Sequence, residues 1–309
     1  MEMVPWFIGV EGVQHSAEVA RMLPYMVAGD RSGVVAPGDL KVQPLSTPGA
    51  GVRVMPGGAI LKNVFPGGGQ QAYMARNPQA TNLTVAATGS NAGRTDLVVA
   101  RIDDPQYQGQ TPPDVNDYGY ARLEVLQGRS SAAGLSYPVV ELATIVIPAN
   151  TATITAGMIR DRRDLAQGRT QRFIEMSHPS STTDITGSSY HTVGAINVPV
   201  PEWATVAKVK ADLSGVPVLR GWVSGQFNGV FPGQALEPTW VRGHAYSTSH
   251  AGSISGFTAL QFAVPSAWQG TVQPFSFRVR RESDADNGLM RVDAGSTLSL
   301  DVTFEEAVR

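Results

Sequence analysis

The sequence predicts a mainly β protein: an N-terminal β-rich domain with one short helix, followed by a C-terminal antiparallel β-sandwich of jelly-roll type. Three observations predict it. Turn formers are plentiful, with 33 glycines and 21 prolines in 309 residues. Charged residues make up only 16%, well below the roughly one quarter of an ordinary globular chain, which disfavours long helices with charged faces. Short β-branched runs recur along the whole chain between Gly, Pro, Asn and Ser clusters, as strands joined by tight loops require. The length suggests two domains. We place them at residues 1–168 and 169–309, dividing the chain just after a cluster of arginines and aspartates.

Residues 15–29 read as the one helix. Ser16 can cap it, Glu18 lies near the positive end of its dipole, and Gly29 can end it. Val19, Met22, Leu23 and Met26 fall at i, i+3, i+4 and i+7, forming one apolar stripe. Pro24 interrupts that pattern, so a kink or break is expected there. Strands follow at 39–45, 51–55, 59–62, 71–76, 82–87 and 96–103. The second and third read as a hairpin across Pro56, Gly57 and Gly58. Residues 97–100, Leu-Val-Val-Ala between Asp96 and Arg101, read as fully buried. The Pro/Gln/Asp-rich stretch 104–118 is a loop of a length that is often functional.

Strands at 121–127 and 139–147 come next. The latter runs into Pro148, Ala149 and Asn150, after which a second Thr/Ile strand is expected. It ends in five charges in a row: Arg160, Asp161, Arg162, Arg163 and Asp164. A Ser/Thr-rich stretch then precedes eight strands at near-regular spacing: 192–198, 205–213, 219–223, 240–247, 257–263, 275–281, 290–293 and 296–304. Period-two alternation is strict in Phe275, Phe277 and Val279, and in Leu298, Leu300, Val302 and Phe304.

Composition excludes several function classes. The net charge is −2 and the isoelectric point about 6.2, which gives no electrostatic footprint for nucleic acid and no polybasic run for anionic lipid. Cysteine is absent, so neither a disulfide nor a thiolate metal site is possible. The first residues lack the basic and continuous apolar regions of a secretory leader, and no stretch reaches the length needed to span a bilayer. A protein made in a reducing cytosol and, if it acts outside a cell, released by lysis as part of a particle is the expectation.

No catalytic residue, cofactor site or metal site is nominated. The histidines His15, His178, His191, His244 and His250 do not pair at ligand spacing. Asp284, Asp286, Asn287 and Gly288 are like the start of a calcium loop. No glutamate stands at the twelfth position, however, and a hairpin turn with positive φ at Asn287 and Gly288 accounts for them better. Nucleophile-elbow, phosphate-loop and dinucleotide fingerprints are missing. A carboxylate pair for wall-polysaccharide hydrolysis needs only two distant residues, and nothing singles out a pair.

Two groups carry functional readings. In the first, the cluster from Arg160 to Asp164 is either a solvated turn or a bidentate Arg–carboxylate latch at the domain junction or a subunit contact. Its density in a chain of low charge favours the latch. In the second, four of the five tryptophans lie in the C-terminal half. Trp203 and Trp268 fall at loop edges and are candidates for glycan contact, since sugar C–H faces stack on exposed indoles. Trp222 and Trp240 lie in strand-like runs and are expected in the core.

Residues 10–165 resemble the N-terminal domain of minor tail or upper baseplate proteins at the tail tip of long-tailed, siphovirus-like bacteriophages. The resemblance rests on the order of several features. A short helix precedes Gly-Val-Val-Ala-Pro-Gly-Asp-Leu at 33–40, and GVRVMPGGAIL follows at 51–61. Gln70-Gln71-Ala72-Tyr73 and Arg-Thr-Asp-Leu-Val-Val-Ala-Arg at 94–101 come next. The series closes on Ile147-Pro148-Ala149-Asn150 and Met-Ile-Arg-Asp-Arg-Arg at 158–163. The resemblance implies a structural virion component without enzymatic activity. It would dock on other tail-tip or baseplate proteins as a symmetric homo-oligomer, with a trimer favoured. The C-terminal domain would face outward or toward a neighbour. The alternatives are a receptor-binding protein for host-wall glycan and, third, a wall hydrolase.

Overall fold

The computed structural model describes residues 16–111, 119–245, 252–282 and 288–308. The protein is mainly β, with a single α-helix among the described residues. It divides into two compact units, residues 1–168 with 308–309, and residues 169–307.

The first unit carries α1 (Ala17–Ala28), β1 (Gly33–Val34), β2 (Val42–Pro44), β3 (Gly51–Val54), β4 (Gly57–Lys62) and β5 (Ala72–Asn77). It continues with β6 (Thr81–Thr84), β7 (Arg94–Ile102), β8 (Ala121–Leu126), β9 (Val139–Ile147) and β10 (Ile159–Asp161). These form three sheets, in the orders β1-β4-β5, β2-β3-β6 and β10-β9-β7-β8. Every strand pair is antiparallel. β7 is paired on both edges, and Leu97, Val98 and Val99 are fully buried. A continuous apolar run suits a strand covered on both faces.

Three expectations for this unit are corrected. α1 does not break at Pro24 but runs unbroken to Ala28. The ring of Pro24 is buried on the inward face, with Tyr25 and Ala28 packed toward Ile60 and Ala72. Packing therefore holds the turn that lacks one backbone donor. β3 and β4 are not a hairpin: β3 pairs with β2 and β6, and β4 with β1 and β5. The link between them is occupied by another segment, because the Asp39 carboxylate accepts from Gly58 N (3.0 Å) and Leu40 N donates to Pro56 O (3.2 Å). A Cβ on Gly57 would lie 2.6 Å from the Asp39 backbone, so this close approach requires glycine. Finally, residues 151–155 form no strand. Thr151 bonds to Thr88, and Ile154 N donates to Gly49 O, so this stretch anchors loops; the later strand that joins β7 in pairing with β9 is β10.

The second unit carries β11 (Thr170–Ser177), β12 (Thr183–Ile185), β13 (His191–Pro199), β14 (Val206–Arg220), β15 (Trp222–Phe231) and β16 (Gln234–Ala235). It ends with β17 (Thr239–His244), β18 (Gly252–Ala263), β19 (Val272–Arg281), β20 (Leu289–Val292) and β21 (Thr297–Glu305). One sheet has the order β11-β21-β14-β20-β12, with β18 also on β14. The other has the order β13-β19-β15-β16, with β17 also on β15. Val209, Ala211, Leu300 and Val302 from the first share one apolar cluster with Phe227, Phe275, Phe277 and Val279 from the second. Two antiparallel sheets closed over one core make a β-sandwich.

The expected strand at 219–223 is also corrected. Gly221 adopts φ 61° and breaks it. β14 ends before this corner in one sheet, and β15 begins after it in the other. Left-handed φ is inexpensive only for glycine, so the corner falls where the sequence supplies one.

Candidate functional site

The Arg/Asp cluster lies at the end of β10 and just beyond. Arg163 is the buried member, while Arg160, Asp161, Arg162 and Asp164 are exposed. Arg163 grips Asp161 with two parallel bonds, Nε to Oδ1 at 2.9 Å and Nη2 to Oδ2 at 2.6 Å. Its remaining nitrogen donates to Pro37 O at 3.0 Å and Asp39 O at 2.6 Å. The planar fork thus ties β10 to the turn before β2. Burial opposes ionisation of Asp161, but the Arg163 hydrogen bonds and the charges of Arg163 and Lys41 outweigh it. The carboxyl is held below its ordinary range. Arg162 pairs with Glu141 at 3.2 Å, and Asp164 contributes its carbonyl to Val34 N at 2.8 Å. All these bonds lie within the first unit.

α1 has two unlike faces. Inward, Arg21 donates to Gln71 Oε1 at 2.7 Å and to the Tyr107 hydroxyl at 3.3 Å, and lies 3.6 Å from the Asp104 carboxylate. Tyr73 donates to the same carboxylate at 2.9 Å. Burial, then that bond, push the Tyr73 hydroxyl far above its ordinary value. Outward stand Met22, Leu23, Met26 and Val27, with Met26 73% exposed. Most of the apolar stripe read from the sequence therefore faces away from the helix's own sheet, and only Val19 is buried. Met74, opposite Ile60 in the register and 69% exposed, stands on the sheet face that carries the helix.

Trp203 and Trp268 lie at loop edges as expected, in a turn and in the short 3-10 turn Ser266–Trp268, but the exposure of the four tryptophans is the reverse of the expectation. Trp203 and Trp268 are half-buried and packed against the sandwich core. The Trp268 ring lies 5.5 Å from Phe231 and 5.8 Å from Phe262, and Arg169 lies 5.2 Å over Trp203. Trp222 and Trp240, expected in the core, are 52% and 49% exposed. Alternation is the reason. In β15, Val223 and Phe227 turn inward, which sends Trp222, Ser224 and Gln226 outward. In β17, Val241 turns inward, which sends Trp240, Arg242 and His244 outward. The register sets Gln226 beside Trp240 and Trp222 beside His244, so all six side chains share one face. Alternation of Trp240, Arg242 and His244 around Val241 was the signal available in the sequence.

That face continues onto β19, where Arg280 lies opposite Gln226 and Arg278 opposite Asn228. Gln226 Oε1 accepts from Arg280 Nε and from the Tyr190 hydroxyl, each at 2.9 Å. Both guanidinium groups lie over the Tyr190 ring, at 4.8 and 5.6 Å. No group of three histidine or acidic residues that could hold a metal ion occurs among the described residues. His15, His250, Asp284, Asp286 and Asn287 lie outside those residues. No helix of the described residues is long and apolar enough to cross a membrane.

No family model and no curated protein matches the sequence. Among solved structures, the chain is similar to one from infectious bursal disease virus, Gx strain. The identity is 12% over 90% of this chain and 77% of that one, with a TM-score of 0.26. It is likewise similar to the VP2 subviral particle of infectious bursal disease virus, at 10% identity over 92% and 74%, with a TM-score of 0.27. The insecticidal delta-endotoxin Cry8Ea1 of Bacillus thuringiensis also matches, at 10% identity over 90% and 52%, with a TM-score of 0.24. Likeness at this level carries no argument about what this chain does.

Proposed function

We propose that this chain is a non-enzymatic structural component of a bacteriophage particle, of the tail-tip or baseplate kind. It works by assembling with copies of itself and with neighbouring tail proteins. The observation that carries the reading is the outward face of α1. Met22, Leu23, Met26 and Val27 form an uncharged apolar stripe on a helix whose opposite face is already locked to its sheet. Large apolar side chains clustered on a surface mark a contact surface. We assign its occupant as a second copy of this chain. Under rotational symmetry the same stripe meets itself or its neighbour, and a stripe without charge is compatible with itself.

Two further features support the reading. The ordered motifs over residues 10–165 resemble tail-tip docking domains, which suggests a trimer. Among the described residues β11 is an edge strand paired with β21 alone, and Ile174 and Met176 on it are exposed. An eight-residue edge of this kind needs a cover to prevent open-ended pairing.

Light scattering coupled to size exclusion tests the proposal on the full chain. The expected result is a closed oligomer for the wild type. Leu23→Asp combined with Met26→Asp should give monomers that still unfold cooperatively, with a melting temperature that no longer depends on protein concentration, because neither side chain belongs to a core cluster. A wild type that stays monomeric, or a double variant that still assembles, overturns the reading.

A further inference from the structure

We infer that the outer face of β19, β15 and β17 is a binding site for an acidic glycan, an oligosaccharide bearing carboxylate or phosphate groups. Three observations carry this. First, Trp222 and Trp240 each leave about half of their surface to solvent on one face. Indole is among the side chains that most often anchor a ligand or partner, and its flat face matches the C–H face of a sugar ring. The two lie four positions apart on adjacent strands, roughly 14 Å from backbone to backbone. That is wider than a single sugar ring, so the ligand is a chain of several.

Second, Arg242, Arg278 and Arg280 on this face form no ion pair among the described residues, although elsewhere in the same unit Arg169, Arg172 and Arg291 each hold a carboxylate. The three lie on one face with Glu282 as the nearby acid, and Glu282 accepts from Ser224. Cations left without counter-charges draw an anion. Third, the ground between the two indoles is polar. Ser224 and Gln226 lie there on β15, buried and bonded to Glu282, Tyr190 and Arg280, and the exposed Arg242 lies opposite Ser224 on β17. A protein hot spot gathers its aromatics into one desolvated centre depleted of charge. Separate indoles with an exposed guanidinium between them suit hydroxyl-rich acidic rings instead.

The site does not depend on the assembly reading, and the two fail separately: loss of glycan binding leaves the light-scattering result untouched. The test is an array of neutral, uronate-bearing and phosphate-bearing oligosaccharides, probed with the full-length chain. The expected result is binding to the acidic chains over neutral ones of equal length, with the uronate and phosphate arms showing which acid is preferred. Binding should fall at least about tenfold in Trp222→Ala and in Trp240→Ala, and several-fold in Arg242→Ala. Trp222→Phe and Trp240→Phe should recover part of it, and Trp203→Phe should leave it intact. Wild-type binding that weakens as salt is raised gives a check free of any variant. Absence of binding to every acidic chain, preference for neutral ones, or binding that survives removal of both indoles overturns the inference. If no glycan binds while Trp240→Ala reduces self-association, the face is a protein contact and the inference fails.

Discussion

The two outer faces of the sandwich follow the same alternation and end in opposite electrostatic states. On the face of β11, β21, β14 and β18, cations meet anions. Across neighbouring strands Arg172 holds Asp301 at 2.5 Å and Lys208 holds Glu305 at 2.5 Å, and along β14 Lys210 lies 3.4 Å from Asp212. On the face of β19, β15 and β17, arginines stand over Tyr190 or beside indoles instead. Alternation decides only which side chains point outward. Cross-strand chemistry decides whether the resulting face is satisfied by itself or left open to a ligand.

The largest test of this contrast sets one tryptophan against another. Trp268→Ala removes a ring packed on Phe231 and Phe262 and should lower stability by about 3 kcal/mol. Trp240→Ala should stay within about 0.5 kcal/mol. Urea denaturation reads both, and equal losses would break the claim that the outer indoles are uncommitted. A smaller effect separates buried from open arginines. Arg163→Ala strands Asp161 and the Pro37 and Asp39 carbonyls, and should cost about 2 kcal/mol in the same measurement. Arg163→Lys recovers little, because an ammonium cannot reproduce the fork. Arg242→Ala, by contrast, should leave the denaturation midpoint where it is.

The smallest effect is on acid stability. Side-chain hydrogen bonds from Arg291, Arg172 and Arg169 hold Asp184, Asp301 and Glu306 below their ordinary values. A lowered folded-state value means that the stabilisation is complete above the unfolded value, near pH 4. It is lost as pH falls through the lower folded one. The melting temperature should therefore hold from about pH 7 to about pH 5 and drop in stronger acid. The drop should be shallower in Asp301→Asn, which has already lost one of these terms. A variant in the open face, such as Arg242→Ala, should leave the acid limb as in the wild type.

Much of the β architecture was legible because period-two patterns survive in β19 and β21, where Phe275, Phe277, Leu300 and Val302 all turn inward. β15 was largely hidden. Its outward residues are Ser224, Gln226 and Asn228, its inward row includes Gly225 and Gly229, and this polar, glycine-rich run reads as a loop. The glycines are set by tight packing: a Cβ on Gly229 would lie 2.3 Å from the Phe275 ring. β11 was hidden for a different reason. As an edge strand it is exposed along most of its length, so its alternation is blurred by Arg172, Glu175 and Met176. The orientation of α1 was not legible at all. Its apolar stripe is plain in the sequence, but an inward face built from Arg21, Pro24, Tyr25 and Ala28 depends on Gln71, Asp104 and Tyr107, which are distant along the chain. The density of the charge cluster was legible, but not that Arg163 is its buried member, nor that the fork closes on Asp161, Pro37 and Asp39 within the first unit.

The single-residue corner at Gly221 has a mechanical consequence. Because β14 passes directly into β15 there, the two layers are stitched by the backbone itself on one side. Prying them apart at that seam loads covalent bonds at once, because one residue leaves no slack, whereas the other links between the layers, such as 186–190 and 264–271, are several residues long. Under tension the layers should part last at this shortest link.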